Sequence, residues 1–197
     1  KENKNLISTL NTLHTLSSTY KHMFTNLTHL YQFVDQTMAV LHDQFHDEVK
    51  CYKGCTDCCN AVFDVSYIEA KYTLSLFETL DAAIRKEILD NADIARQEWQ
   101  KMVGSKGDPS LLRIKCSLLN SNGECACYQA RPVNCRTYGV PTVINGEGHV
   151  CGLSGFTKGE SYPTINLNRL QESLHQYSVE AGGEICGSKR WPIAEIL

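Results

Sequence analysis

The placement of its cysteines constrains this chain more than any other feature of the sequence. Four of the ten cysteines lie within nine residues, in the pattern Cys51-x3-Cys55-x2-Cys58-Cys59. Disulfide geometry is hard to satisfy among such close neighbours, whereas several thiolates can readily surround one metal ion. The segment therefore predicts a metal site, with disulfides or mostly free thiols as the alternatives.

Chain length and charge support the same interpretation. A chain of 197 residues can bury a hydrophobic core without disulfide staples. The net charge of −3 indicates no nucleic-acid-binding surface, and no apolar run is long enough to span a membrane. We therefore expect a cytoplasmic protein whose main partner is a metal ion or cluster. No signal peptide is evident, although a start at Lys1 rather than Met leaves a removed N-terminal segment open.

Residues 1–50 have the pattern of one long amphipathic helix. They contain neither Gly nor Pro, and apolar or aromatic side chains recur every seven positions in two rows. Eleven of the twelve positions are apolar or aromatic, Ser17 being the exception, and the rows are Leu6, Leu13, Tyr20, Leu27, Val34 and Leu41, and Leu10, Ser17, Phe24, Tyr31, Met38 and Phe45. Because the flanking positions lack the charges of a coiled coil, we favour packing within the chain over self-association or binding to another protein.

Residues 51–180 are predicted to form a cysteine-cluster domain with several helices. Ser66 and Glu69 have the spacing of a capping box that starts a helix ending near residue 80. Further helices are expected over 81–103 and 166–178, and Asn145-Gly146 predicts a short β-hairpin. Residues 181–197 are expected to be an irregular tail. The predicted fold is thus mainly α: a long N-terminal helix and a small helical domain with irregular cysteine-bearing loops.

A second set of cysteines lies too far apart in sequence to form a site without help from the fold. If the fold brings both sets together, eight thiolates could fill two tetrahedral sites or hold one cluster with a supporting set. The predicted metal ligands are Cys51, Cys55, Cys58, Cys59, Cys116, Cys125, Cys135 and Cys151. Cys127 and Cys186 are predicted to be accessory or free, and His149 is a weaker candidate ligand.

The first cysteine pattern, with Gly54 before Cys55, resembles the opening signature of the YkgJ family of zinc- or iron-chelating cysteine-cluster domains. The resemblance covers roughly residues 50–175, and Ser117 and Cys127 depart from the family's usual proline and aliphatic residue. It continues in Cys116-x-Leu118-Leu119, Gly123-x-Cys125, Arg131-Pro132-x2-Cys135-Arg136-x-Tyr138-Gly139 and Cys151. It implies metal chelation without a settled reaction.

The metal and the biochemical role stay open at this point. Zinc and iron, including a [4Fe-4S] cluster, use the same thiolates. Cys51-x3-Cys55-x2-Cys58 also has the spacing of radical S-adenosylmethionine enzymes, but Asp57 stands where that family usually has an aromatic residue. A redox or transferase role and a closed structural, storage, sensing or interaction role with zinc are both compatible with the sequence.

Two arginines flank Cys135 and are predicted to be cofactor-binding residues. Arg131 and Arg136 could offset the negative charge of a thiolate-rich site or bind an anion. The alternative is that they form ion pairs and brace the loop around Cys135.

Overall fold

The computed structural model of the protein describes residues 22–52, 54–62, 64–103 and 113–197. The fold in these ranges is mainly α with two small sheets, as predicted. The helices are α1 (Thr25–Gln44), α2 (Tyr67–Phe77), α3 (Ala82–Val103), α4 (Val133–Arg136) and α5 (Leu167–Gly187). The strands are β1 (Asp64–Ser66), β2 (Thr142–Ile144), β3 (Glu147–His149), β4 (Ile165–Asn166) and β5 (Arg190–Pro192).

Helix α1 packs against the rest of the chain through the predicted apolar rows. Its buried side chains are Leu27, Tyr31, Val34, Met38 and Leu41. They form one core with Ile68 of α2, Val133 of α4 and Leu174 of α5. The described part of this helix therefore packs within the chain, as favoured above. The first half of the predicted helix, over residues 1–21, lies outside the described ranges.

Helix α2 starts at the predicted capping box. The backbone N–H of Ser66 donates to Oε2 of Glu69 at 3.0 Å, which satisfies one of the free donors at a helix start. The helix ends at Phe77, slightly before the predicted residue 80, and α3 runs over nearly the predicted range. Helix α2 then packs on α5, where the Ile68 N–H donates to the Ser178 hydroxyl at 3.2 Å.

The predicted β-hairpin is present as β2 and β3. Asn145 and Gly146 connect the strands with φ angles of 52° and 83°, the left-handed region that a tight hairpin turn requires. Strand β2 also pairs in parallel with β4, just before α5. The hairpin therefore fixes the backbone that leads to Cys151.

The structure differs from the irregular tail predicted for residues 181–197. Helix α5 continues to Gly187, with non-helical backbone at Gly183 where φ is 75°. Strand β5 then pairs antiparallel with β1, placing Trp191 opposite Val65. No local pattern announces this pairing, because the partner strand lies more than a hundred residues earlier. The division of the chain into domains stays a prediction.

None of the helices within the described ranges combines the length and the apolar character needed to cross a lipid bilayer.

Candidate metal centre

The first cysteine loop follows α1 and folds back through two tight turns. The Cys55 N–H donates to the Tyr52 carbonyl at 3.0 Å, and the Cys59 N–H donates to the Thr56 carbonyl at 2.9 Å. Gly54 has a φ of 98°, a conformation that glycine adopts without strain. Cys58 and Cys59 lie on a short 3-10 helix, Asp57–Cys59, whereas Cys51 and Cys55 lie outside helices and strands.

The second cysteine segment runs alongside the first. The Cys116 N–H donates to the Cys59 carbonyl at 2.7 Å, and Ala61 and Arg113 form an isolated antiparallel bridge. A second bridge between Leu119 and Cys125 folds this segment back on itself. Cys135 lies on the short helix α4, directly after Pro132 at its N-cap. Distant parts of the sequence are thereby brought to the first loop.

Five thiols surround one cavity, and we call them the inner group. The cavity has a volume of about 70 Å³, and its other walls include Trp99, Ile114 and Arg131. Cys135 interacts electrostatically with Cys58, Cys116 and Cys125, which places these thiols near one another. The inner group consists of Cys58, Cys59, Cys116, Cys125 and Cys135.

The other three predicted ligands, Cys51, Cys55 and Cys151, form an outer group. Cys51 interacts electrostatically with Cys55 and Cys151, and more weakly with Cys58 of the inner group. Its thiol donates to the Tyr138 carbonyl at 3.5 Å, while the Leu153 N–H donates to the Cys151 sulfur at 3.4 Å. The two groups therefore adjoin, and every predicted ligand belongs to one of them.

The donors lie near one another without yet meeting at a point. In the ranges that the structure describes, no three His, Cys, Asp or Glu side chains are arranged to hold one metal ion. Two pairs come close: the Sγ atoms of Cys58 and Cys59 are 4.0 Å apart, and Cys151 Sγ lies 3.5 Å from Asp57 Oδ2. Eight soft donors in two adjoining groups fit a thiophilic metal, provided that binding draws them together.

Burial raises the pKa of several thiols in the two groups. Burial and the neighbouring Cys55 raise the pKa of Cys51 to about 11. Burial likewise raises the pKa of Cys116 to about 12 and that of Cys135 well above its usual value. For Cys58, the hydrogen bond with Cys59 is the largest cause of a raised pKa, followed by burial. A metal ion must therefore displace protons to bind these groups.

Arg131 lies at the inner group. Its guanidinium stacks on the Tyr128 ring at 3.7 Å. Its positive charge favours the thiolate form, and so opposes the raised pKa, of Cys51, Cys58, Cys125 and Cys135. Its Nε and the hydroxyl of Ser117 are buried and have no hydrogen-bond partner among the described residues. Both residues line the cavity, so the Arg131 Nε–H and the Ser117 hydroxyl can form hydrogen bonds to a ligand or thiolate there.

Arg136 braces the loop around Cys135. Its guanidinium forms an ion pair with Asp35 of α1 at 2.6 Å and lies over the Tyr31 ring at 3.9 Å. It also donates to the carbonyls of Gln129 and Arg131. These contacts are the ion pairing and loop bracing that the sequence offered as the alternative. A role of Arg136 in cofactor binding stays a prediction.

The remaining candidates lie around these groups. Cys127 is buried beside Cys125, and burial raises its pKa to about 12. Cys186 lies on α5, and His149 lies on the exposed strand β3. Sequence reasoning gave no role to Asp57, although an acidic residue inside Cys55-x2-Cys58 was a signal. Its carboxylate contacts Cys151, Tyr138 and Arg113.

A comparison with protein families matches the part of the chain that carries both cysteine groups. The family model described as "CxxCxxCC: Putative zinc- or iron-chelating domain" matches residues 50–152, just over half of the chain. All eight cysteines of the two groups lie within the matched range. No curated protein and no solved structure shows significant similarity to the chain.

Proposed function

Because this chain belongs to the CxxCxxCC family of zinc- or iron-chelating domains, we propose that it holds zinc or iron through the eight cysteines of the inner and outer groups. The observation that supports the proposal is that cysteines from residues 51–59 and from residues 116–151 lie close together and line one cavity. Thiolates are the ligands that zinc and iron–sulfur centres share. Metal binding would then tie the two cysteine segments together.

Arg131 supports the inner group by its charge. Four thiolates around a divalent ion carry a net charge of −2, and such a charge is unfavourable in a partly buried site. The positive charge of the Arg131 guanidinium favours the thiolate form of three inner thiols. Its Nε–H has no hydrogen-bond partner among the described residues, so it can donate to a thiolate. We assign it to stabilising the thiolate form, which is one of the two roles expected from the sequence.

A redox or transferase role is a second candidate, because a cavity borders the inner group. The space beside the inner group has apolar walls that include Val62, Trp99 and Ile114, and it carries the free hydroxyl of Ser117. Its volume of about 70 Å³ is small beside the roughly 300–1,000 Å³ of usual ligand pockets, so it could admit only a molecule of a few atoms. The competing role is a closed zinc site for structure, storage, sensing or interaction, in which four sulfur ligands leave no open position.

The first experiment is anaerobic purification of the full chain, with elemental analysis for zinc and iron, sulfide determination and a UV–visible spectrum. Iron with matching acid-labile sulfide and a brown colour would favour a [4Fe-4S] cluster and the redox candidate. Zinc alone in a colourless protein would favour closed sites. Absence of bound metal, together with thiols that titrate as disulfides, would refute the proposal.

A matched pair of variants tests the ligand set. Cys125→Ala removes an inner-group thiol, so we expect a lower metal content per chain. Cys127→Ala removes a neighbouring thiol outside both groups, so we expect unchanged metal content with only a modest loss of stability from the small cavity. Metal per folded chain is the measurement. Equal losses in both variants would show that Cys127 is also a ligand.

A further inference from the structure

Asp57 lies inside the cysteine cluster with its carboxylate aimed at the outer group. Its side chain is 15% exposed. Oδ2 lies 3.5 Å from the Cys151 sulfur and accepts a hydrogen bond from the Tyr138 hydroxyl at 2.8 Å. Oδ1 accepts from Arg113 at 2.8 Å. The carboxylate is therefore held in a fixed position next to a predicted metal ligand.

The outer group lacks a fourth donor. It contains three thiols, whereas a closed tetrahedral site needs four ligands. We propose that Asp57 supplies the fourth ligand, so that the outer site is Cys51, Cys55, Cys151 and Asp57 rather than an all-cysteine site. This inference rests on the proposed metal-binding function and specifies one of its two sites.

The separation of Asp57 and Cys151 fits two ligands of one metal. With zinc–sulfur and zinc–oxygen distances of about 2.3 and 2.1 Å, sulfur and oxygen ligands of a tetrahedral site lie about 3.5 Å apart. The observed distance from Cys151 Sγ to Asp57 Oδ2 is 3.5 Å. The Cys151 sulfur and the Asp57 oxygen would therefore need to move little relative to each other when a metal binds.

The partners of Asp57 are those expected around a metal-bound carboxylate. Tyr138 and Arg113 each donate to one of its oxygens, and such outer contacts orient a ligand and fix its basicity. An oxygen ligand also makes the outer site harder than the all-sulfur inner site. The two sites would therefore differ in their preference for soft metals.

The experiment uses the metal-free full chain, titrated anaerobically with Co²⁺, whose absorption reports both the number of ions bound and their sulfur ligands. We expect the wild type to bind Co²⁺ in both groups. Asp57→Ala removes a proposed ligand and should therefore weaken the outer site by more than the roughly 10–100-fold that loss of an outer contact costs. Asp57→Cys should keep the number of bound ions and raise the sulfur-to-cobalt absorption of that site by about a third.

Tyr138→Phe is the matched control, because it removes a hydrogen bond to Asp57 and leaves the carboxylate. We expect it to retain the wild-type cobalt spectrum with a smaller loss of affinity than Asp57→Ala. Folding of each variant is checked by far-UV circular dichroism. If Asp57→Ala does not fold, Asp57→Cys and Asp57→Asn decide whether Asp57 binds the metal or only braces the loop.

The outcomes separate this inference from the proposed function. A wild-type chain that binds Co²⁺ with a spectrum unaffected by the Asp57 variants would overturn the ligand assignment alone, and Cys58 or water would be the fourth ligand. Equal effects of Asp57→Asn and Tyr138→Phe with unchanged cobalt spectra would overturn it in favour of loop bracing. A wild-type chain that binds no metal would refute the function itself.

Discussion

Glu69 is a carboxylate with 1% of its surface exposed, and it joins three parts of the chain. It accepts hydrogen bonds from Ser66 at the start of α2 and from the Val133 N–H of α4 at 2.8 Å. The Tyr31 hydroxyl of α1 lies 3.5 Å from the same carboxylate. One side chain thus caps a helix and positions the helix that carries Cys135.

Removal of this carboxylate should be costly. Glu69→Ala leaves the buried N–H groups of Ser66 and Val133 without a partner, at about 1–3 kcal/mol each. We therefore expect the free energy of unfolding to fall by about 2–6 kcal/mol in urea titration. Glu172→Ala, at an exposed position on α5, is the control and should change stability by less than about 0.5 kcal/mol. A similar small change for Glu69→Ala would contradict this account.

The absence of a side chain at Gly139 leaves room for the Cys51 sulfur. Its φ is 99°, and a Cβ at this position would collide with the Cys51 sulfur. Gly139→Ala should therefore displace an outer-group thiol and reduce metal content, in addition to the backbone strain. Gly146→Ala has similar strain at φ 83° but open space around the added methyl group. It should lower stability by about 1 kcal/mol with metal content unchanged. Equal metal content in both variants would exclude the steric role of Gly139.

At the scale of elements, an ion pair between Asp35 and Arg136 connects α1 to the segment that carries Cys135. The Arg136 side chain is 5% exposed and its partner Asp35 is 51% exposed. Because the guanidinium is buried, loss of Asp35 leaves a charge with fewer partners. This pair should therefore matter more than an ordinary surface pair.

Two substitutions compare a partly buried ion pair with an exposed one. We expect Asp35→Ala to lower the free energy of unfolding by about 1–2 kcal/mol, the half-exposed carboxylate limiting the effect. Asp90→Ala breaks the exposed pair with Lys86 on α3 and should lower stability much less than Asp35→Ala does. Chemical denaturation measures both. Equal losses would mean that Arg136 gains little from its partner.

The elements also divide by how far sequence reasoning could predict them. Heptad rows, the capping box at Ser66 and Glu69, and the Asn145-Gly146 turn are local patterns, and each predicted its element. The β1–β5 pairing and the Arg136–Asp35 contact join residues about a hundred or more positions apart. Such contacts depend on the assembled fold, so neither the ordered C-terminal strand nor the partner of Arg136 could be predicted.

The cysteines of the site were partly predictable in the same way. Close spacing and the family signature identified eight candidate ligands, but spacing could not assign them to groups. The adjacent residues Cys58 and Cys59 both line the inner cavity, whereas Cys55 belongs to the outer group. Asp57 became a candidate only when the hairpin and its following loop placed Cys151 beside it.

At the scale of the whole molecule, two regions should differ in their dependence on metal. One contains the core shared by α1, α2 and α5, and the other contains the cysteine segments, which have little regular structure. Treatment with EDTA should speed hydrogen exchange at residues 51–60 and 113–152 more than in α1 and α5, because bound metal contributes to folding. Uniform loss of protection across the chain would indicate one cooperative unit instead.

The contacts of Glu69 with Tyr31 and Val133, and of Asp35 with Arg136, limit how this protein can be engineered. Residues 50–152 carry every cysteine of both groups, and a designer could be tempted to graft that piece onto another scaffold. The graft would lose Tyr31, Asp35 and Leu174, and would leave Ile68, Val133 and Val140 facing water. The transferable part is therefore the cysteine segments together with α1 and α5.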